Sequence, residues 1–224
     1  MNRMQLMNHA SIEDDSFTSA DIDRIYAMYE EYDSVDMSIS DNDDNAASGL
    51  ETVYDGPLPP EALWKEGTTL IIGDSMLNGI EKSRLKNTKV RAKPGSSVED
   101  MHFHITPYLR KKPTNIICHV GTNNAKSDTS DEIMVKLVKL KEYILSKCPS
   151  TNLVFSSLID RIDDPKAGRV VQETNEKLAH LSVPLLMNHK ISNEHLGKKG
   201  LHLNRSGVVR FAMNIIDTLK SFND

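Results

Sequence analysis

The feature that most constrains the fold is an alternation, from Leu70 onward, of short apolar runs with longer amphipathic stretches. Such alternation is typical of repeated β–α units, in which parallel strands form one sheet and helices cover both of its faces. The predicted strands cover residues 69–73, 88–92, 115–120, 152–157 and 183–188. The predicted helices cover residues 76–84, 97–109, 130–147, 168–181 and 205–222. We therefore predict one three-layer α/β domain over residues 66–224 with a five-stranded parallel sheet. We expect the strand order 2-1-3-4-5, with the first strand central, beside the switch point of the strand order.

The segment before this domain differs from it in charge. Residues 1–60 contain 14 acidic and two basic residues, whereas the remaining 164 residues contain 18 acidic and 25 basic ones. A highly charged segment with few apolar residues cannot bury enough surface to offset its loss of conformational entropy. We predict that residues 1–62 form an acidic, largely disordered tail. Three roles stay open for it: solvation, attraction to the basic domain, or binding of a partner through a short helix over residues 19–32.

Several classes of protein are disfavoured by what the sequence lacks. No apolar run reaches the roughly 18 residues of a membrane span, and the N-terminal residues have no apolar core of the signal-peptide type. The two cysteines, Cys118 and Cys148, cannot form a disulfide framework, and no spacing of ligands indicates a metal site or a cofactor. We expect an intracellular, cytoplasmic protein, with the nucleus left open.

Polar and small residues follow the predicted strand ends. Ser75 stands in "GDS" after the first strand, Gly95 follows the second, Asn123 stands in "GTNN" after the third, and His202 precedes the last helix. The carboxyl ends of parallel strands share one edge of the sheet, where ligands bind at the switch point of the strand order. A serine nucleophile needs a base for its proton and donors for the oxyanion that its attack creates. These four residues would supply all three.

Each of these positions also has a structural interpretation. Asp74 and Ser75 are good N-caps for a helix, and Asp74 is the better candidate for a hydrogen bond within its own loop. We expect Asn124 to stabilise its own turn and His119, within a predicted strand, to be a core residue. His202 could equally be a surface histidine at the start of a helix. Trp64 is expected to pack the segment that enters the domain rather than to bind a substrate.

The four ordered blocks resemble those of the SGNH, or GDSL-type, serine hydrolases. That resemblance, which covers residues 66–224, implies a flavodoxin-like fold, a small ester substrate and Ser75 as the nucleophile. It further implies His202 as the base, and an oxyanion hole made by the backbone N–H groups of Ser75 and Gly95 and the side-chain amide of Asn123. The wording "GTNN" resembles the intracellular acetylhydrolase branch. The last block, with "DSMLNGI", is similar to esterase-like domains associated with invertebrate non-LTR retrotransposons.

One position departs from the family pattern. The family has an aspartate three residues before the histidine, whereas this chain has Lys199, which cannot accept a hydrogen bond from the imidazole. His202 would then work in a dyad, held by a backbone carbonyl, or with another acid, for which Glu194 is the candidate nearest in sequence. We expect the ammonium group of Lys199 to point into solvent, because an unpaired charge beside the imidazole would be costly to bury. The interpretation is a carboxylic-ester hydrolase, with acetyl or other short acyl groups as candidates, and a catalytically silent SGNH scaffold that binds a partner is the alternative.

The basic charge of the domain leaves nucleic acid open as a partner. However, the basic residues are scattered in the sequence without interleaved aromatic residues, which favours an ordinary solvated surface. The sequence gives no indication of the oligomeric state.

Overall fold

The five apolar runs form one parallel sheet in the computed structural model, which describes residues 63–81 and 85–222. Its strands are β1 (Thr69–Gly73), β2 (Thr88–Ala92), β3 (Asn115–His119), β4 (Asn152–Ser156) and β5 (Leu185–Leu186). They lie in the order β2-β1-β3-β4-β5, and all four pairings are parallel. The predicted fold class and strand order are confirmed. The tail predicted over residues 1–62 lies outside the described residues.

Four α-helices cover the sheet. They are α1 (Val98–Leu109), α2 (Ser130–Lys147), α3 (Pro165–Lys177) and α4 (Arg205–Ser221). Capping boxes begin the first two, with Ser97 and Asp100 on α1 and Thr129 and Glu132 on α2, so that the free N–H groups of each first turn are satisfied. None of the helices in the described part of the chain is long and apolar enough to cross a membrane.

The core explains why the strands appear as nearly continuous apolar runs. Every residue of β1 and of β3 is buried, because helices pack on both faces of a parallel sheet. On one face Leu70 and Ile72 join a large cluster with Ile105 of α1 and Leu137 of α2. Packing on both faces therefore holds β1 and β3 in place, and it also fixes where the loops that follow these two strands begin.

The helix predicted over residues 76–84 is wrong in its type and its length. A 3₁₀ helix covers Ser75–Gly79, and Ile80 is already extended, with ψ of 117°. Residues 82–84 lie outside the described residues. Glycine is a poor helix former, and a Cβ at Gly79 would lie 2.7 Å from a methyl group of Val208 on α4. The turn therefore ends where it meets the last helix.

Two other elements, β5 and α3, differ from the prediction by more than one residue at both of their ends. β5 has two residues instead of six. Pro184 lacks the N–H group that would extend the ladder before Leu185, and beyond Leu186 the contacts with β4 are made through the side chains of Ser157 and Asn188. Helix α3 begins at Pro165 rather than at residue 168, with the Asp164 carboxylate accepting hydrogen bonds from the first free N–H groups. Its last predicted turn is a separate 3₁₀ helix, Leu178–Leu181.

Candidate active site

Ser75 follows the carboxyl end of β1, an internal strand that pairs with β2 and β3, and lies in a turn that its neighbours fix. The buried carboxylate of Asp74 accepts a hydrogen bond from Met76 N at 3.0 Å, and Asp74 N donates to His119 O at 3.1 Å. A Cβ at Gly73 would lie only 2.3 Å from His119 O, so only glycine lets the two strands approach this closely. The N-cap interpretation is therefore right for Asp74, and Ser75 is the residue that the turn presents at the edge of the sheet.

The structure brings Ser75 and His202 together. Ser75 Oγ and His202 Nδ1 lie 3.4 Å apart, although 127 residues separate them in the chain. This distance is slightly longer than the 2.6 to about 3.2 Å of a well-formed catalytic hydrogen bond, as is common in unliganded sites. His195, the other histidine of this region, is turned away: its Nδ1 accepts a hydrogen bond from Ser192 N at 3.1 Å.

A tight backbone turn holds His202 in place. Gly197 N donates to His202 O at 2.7 Å, and Gly200 N donates to Gly197 O at 2.7 Å. Gly200 has a φ of 67°, a left-handed conformation that glycine adopts without strain. Ile162 N donates to Gly200 O at 2.8 Å, which ties this turn to the loop after β4. Lys199 lies at the tip of the turn and is exposed, as expected from the cost of burying its charge.

The loops after β2 and β3 lie beside each other. Asn123 Nδ2 donates to Ser96 O at 2.9 Å, next to Gly95, which has a φ of 79°. A side-chain amide has two N–H groups, so this bond leaves Asn123 one donor for a ligand. Lys93 N also donates to Gly73 O at 2.7 Å, so the three loops that follow the first three strands are joined by hydrogen bonds.

Asn124 does more than stabilise its own turn. Its buried side chain accepts a hydrogen bond from Val98 N at 2.9 Å and donates to Glu99 Oε2 and Asp128 Oδ2 at 2.9 and 2.8 Å. Lys136 forms ion pairs with both carboxylates. Partial burial works to raise the pKa of Glu99 and Asp128, but the hydrogen bonds from Lys136 and Asn124 outweigh it and lower both. This cluster, which sequence reasoning missed, fixes the start of α1 against the loop that carries Asn123.

A second group missed from the sequence is Arg161, in the loop after β4. Its buried guanidinium donates to Thr122 O at 3.0 Å and forms a bidentate ion pair with Asp163. The hydrogen bond from Arg161 is the main cause that lowers the pKa of Asp163. Arg161 therefore joins the Asn123 loop to the loop that contacts the turn of His202. The run "DRIDD" could have indicated an ion pair, but not its target across the sheet.

The described residues place no carboxylate in contact with the imidazole of His202. Glu194 is exposed and accepts a hydrogen bond from Ser192 Oγ at 2.9 Å, and its carboxylate lies 3.8 Å from His195 Nδ1. The contact that the sequence suggested between Glu194 and His202 is not formed. Asp160 is half-buried, and burial raises the pKa of its carboxyl group.

His119 is a buried core residue, as expected, and it is part of a polar network. Its Nδ1 lies 2.9 Å from Ser156 Oγ, and its ring packs edge-on against Phe211 of α4. Burial lowers the pKa of His119, although the nearby charge of Asp74 opposes this effect. Asn188, just beyond β5, donates from Nδ2 to Ser156 Oγ at 2.8 Å. Asn188 thereby links the end of β5 to β4 beyond the last backbone hydrogen bond between the two strands.

The part of the chain that the structure describes contains no cluster of three or more His, Cys, Asp or Glu side chains able to hold a metal ion. Cys118 and Cys148 are both buried and free, and burial raises the pKa of each thiol.

Comparisons with known proteins bear on the fold. No protein-family model matches the chain, and no curated protein matches it. Solved structures do match. A lipolytic G-D-S-L family protein from Veillonella parvula has a TM-score of 0.57 and 18% identity, over 68% of this chain and 98% of that protein. A lipase/acylhydrolase from Enterococcus faecalis has a TM-score of 0.55 and 17% identity, over 69% and 96%.

The psychrotrophic esterase EstA from a Pseudoalteromonas species, solved with monoethylphosphonate as inhibitor, has a TM-score of 0.54 and 12% identity. The match covers 71% of this chain and all of that protein. At such low identities the likeness concerns the course of the backbone, and the sheet order and the loop positions described above agree with it. The domain resembles the GDSL, or SGNH, lipolytic proteins and has their fold.

Proposed function

We propose that this chain hydrolyses a carboxylic ester, with Ser75 as the nucleophile and His202 as the base. The observation that carries the proposal is the distance of 3.4 Å between Ser75 Oγ and His202 Nδ1, at the sheet edge where Asn123 also lies. The esterases and acylhydrolases among the structural neighbours support the reaction class. The "GTNN" wording of the third block favours an acetyl or another short acyl group.

The reaction follows from this geometry. His202 Nδ1 accepts the proton as Ser75 Oγ attacks the acyl carbon, and the carbonyl oxygen becomes an oxyanion. The N–H groups of Ser75 and Gly95 and the uncommitted N–H of Asn123 are the donors proposed to stabilise it. The imidazolium then gives its proton to the leaving alkoxide, and the alcohol departs from the acyl enzyme. His202 next deprotonates a water molecule, which attacks the acyl carbon. As the acyl–Oγ bond breaks, the imidazolium gives its proton to Ser75 Oγ, and the acid and the free serine are released.

The proposed centre is a dyad rather than a triad. With Nδ1 facing Ser75, the other ring nitrogen of the exposed His202 carries the remaining proton toward solvent. In a serine protease that serves as a worked example of this chemistry, replacing the orienting aspartate lowers turnover by roughly 10⁴ without abolishing it. We therefore expect slow hydrolysis that still depends on both residues.

The test uses the full chain, a short-chain nitrophenyl ester and a fluorophosphonate probe that labels activated serines. Ser75→Ala should abolish both hydrolysis and labelling, and His202→Gln should lower both by at least about 10², a typical contribution of general-base catalysis. Matched controls are Ser146→Ala, an exposed serine on α2, and His195→Gln, the histidine that faces Ser192. Both controls should keep the wild-type rate.

One observation favours the alternative of a silent binding scaffold: Lys199 stands where the family has its acid, and no carboxylate of the described residues replaces it at His202. A natural protein that neither hydrolyses the ester nor reacts with the probe would refute the hydrolase proposal and leave the scaffold. Loss of activity in the His195→Gln variant but not in the His202→Gln variant would refute the assignment of the base.

A further inference from the structure

Four partly buried side chains from three separate segments of the chain form a continuous row. The guanidinium of Arg91 lies over the ring of Tyr108, with 5.5 Å from Cζ to the ring centroid. The centroids of Tyr108 and Trp64 are 6.0 Å apart, and the ammonium of Lys111 lies 6.0 Å from the Trp64 ring centroid. We call Arg91, Tyr108, Trp64 and Lys111 the cation–aromatic row. The sequence does not interleave these basic and aromatic residues, but the fold places Arg91 and Lys111 beside the rings of Tyr108 and Trp64.

The row borders the free edge of the sheet. Strand β2 is an edge strand, and its residues Lys89 and Arg91 point to the same face, as residues two apart in a strand do. Lys93 follows directly after the strand. Among the described residues, no acidic side chain pairs with any of these three cations. Arg91 Nε donates to Tyr108 Oη at 3.2 Å, so the row is also fastened to α1.

The chain itself supplies a complementary segment at this place. Leu63, the first described residue, is 37% exposed, and its neighbour Trp64 belongs to the row. Residues 37–62 contain six acidic residues and no basic one. They are joined covalently to the row at its centre, so their local concentration there is on the order of millimolar, which populates even a weak contact.

We propose that residues 37–62 lie along the cation–aromatic row, with their carboxylates opposite Lys89, Arg91 and Lys93. Asp55 is eight residues from Leu63, a span of about 16 Å for a flexible chain, so it reaches the row without strain. The attraction joins solvent-exposed groups, so it weakens as salt shortens the Debye length from about 10 Å at 0.1 M to roughly 3 Å at 1 M. Docking of this kind would cover the unpaired edge of the partly buried strand β2 together with the aromatic rings beside it.

The single tryptophan makes the proposal measurable, because all tryptophan fluorescence comes from Trp64. The experiment measures quenching of that fluorescence by acrylamide, a neutral quencher, in the full chain at low salt. One variant neutralises five acids of the proposed segment: Asp41→Asn, Asp43→Asn, Asp44→Asn, Glu51→Gln and Asp55→Asn. The matched control neutralises five acids that lie farther from Trp64 in the sequence: Glu13→Gln, Asp14→Asn, Asp15→Asn, Asp21→Asn and Asp23→Asn.

We expect the segment variant to raise the quenching constant about twofold, and 0.5 M NaCl to raise that of the natural protein to the same level. The control should behave as the natural protein does. A second variant, Lys89→Gln with Lys93→Gln, removes charges that make no contact with the rings and should also raise the quenching constant. An equal effect of the two acid variants would overturn the assignment of the segment, and quenching that none of the changes affects would overturn the proposal.

A competing polyanion tests whether nucleic acid, rather than the acidic segment, occupies the cation–aromatic row. A short single-stranded oligonucleotide should protect Trp64 in the segment variant more strongly than in the natural protein, because the acidic segment already covers the row in the latter. Equal protection in both proteins would mean that the row is open to nucleic acid, and would refute the intramolecular contact.

Discussion

The Asn124 cluster allows a prediction whose size can be worked out from the structure. Asn124→Asp keeps the acceptor for Val98 N but replaces a donor to Glu99 and Asp128 with a third carboxylate. The hydrogen bond to Asp128, whose side chain is 15% exposed, should contribute about 1.5–3 kcal/mol. The bond to Glu99, whose side chain is 50% exposed, adds at most about 1 kcal/mol because solvent screens it. With partial compensation by Lys136, we expect a loss of about 3 kcal/mol at pH 7.

The loss should depend on pH with a definite sign. Burial and two neighbouring carboxylates raise the pKa of the introduced aspartate in the folded state above its unfolded value, which is about 3.9. The loss of unfolding free energy is therefore complete above the pKa that the introduced aspartate has in the folded state. It declines as the pH falls and this carboxyl group becomes protonated. The measurement is the free energy of unfolding by urea at pH 7 and at pH 4.5, and the difference from the natural protein should shrink by at least about 1 kcal/mol.

Exchanging the two residues provides the control. In the double variant Asn124→Asp, Asp128→Asn, an amide again faces a carboxylate. We therefore expect its loss of unfolding free energy to be smaller than the summed losses of the two single variants, by about 1 kcal/mol or more. Additive losses, or a loss of the same size at both pH values, would refute the electrostatic reasoning for this cluster.

Three further predictions concern single positions. Lys199→Asp should raise ester hydrolysis above that of Lys199→Gln, because a carboxylate beside His202 would stabilise the imidazolium, whereas a neutral amide can only accept a hydrogen bond. Equal rates would show that the dyad needs no acid. Gly73→Ala, whose Cβ would lie 2.3 Å from His119 O, should cost about 3 kcal/mol, whereas Gly95→Ala has open space but a φ of 79° and should cost about 1–2 kcal/mol. Thermal unfolding of both variants checks this, and a larger loss at Gly95 would contradict it. Burial lowers the pKa of His119, so below pH 6.5 the unfolded chain binds a proton that the folded chain does not bind. The free energy of unfolding is therefore highest above pH 6.5 and falls toward acid by up to about 1.4 kcal/mol per pH unit. His119→Gln should flatten this decline in urea unfolding, and an unchanged slope would exclude His119 as its source.

The sheet could be predicted from the sequence because strands buried on both faces are continuous apolar runs with clear boundaries. β1 and β2 have the predicted limits, and β3 and β4 each end one residue earlier. The start of α3 could also have been found, since Asp164 followed by Pro165 is a helix-start signal that the periodicity of the apolar residues obscured. The 3₁₀ helix at Ser75 was not predicted, because the close approach of Gly79 to Val208, which is distant in the sequence, has no local pattern.

The difference between local patterns, which can be predicted, and distant contacts, which cannot, also applies to the candidate site. Ser75, Gly95, Asn123 and His202 were predicted from strand ends and from block order, which are local in the sequence. The contacts from Arg161 to Thr122, from Asn124 to Glu99 and within the cation–aromatic row join residues 17 to 47 positions apart, and no local pattern encodes such pairs.

The shortness of β5 has a consequence for the dynamics of the site. Ser75 follows a strand that is paired on both sides, whereas His202 lies beyond a strand of two residues whose end is held mainly by the side chain of Asn188. Amide hydrogen exchange should therefore be slowest in β1 and β3 and markedly faster between residues 185 and 203. Local opening of that region would carry the imidazole away from the serine without unfolding the sheet. Two states would then exist, one with the dyad assembled and one with it separated, and a ligand that bridges the loops would favour the first.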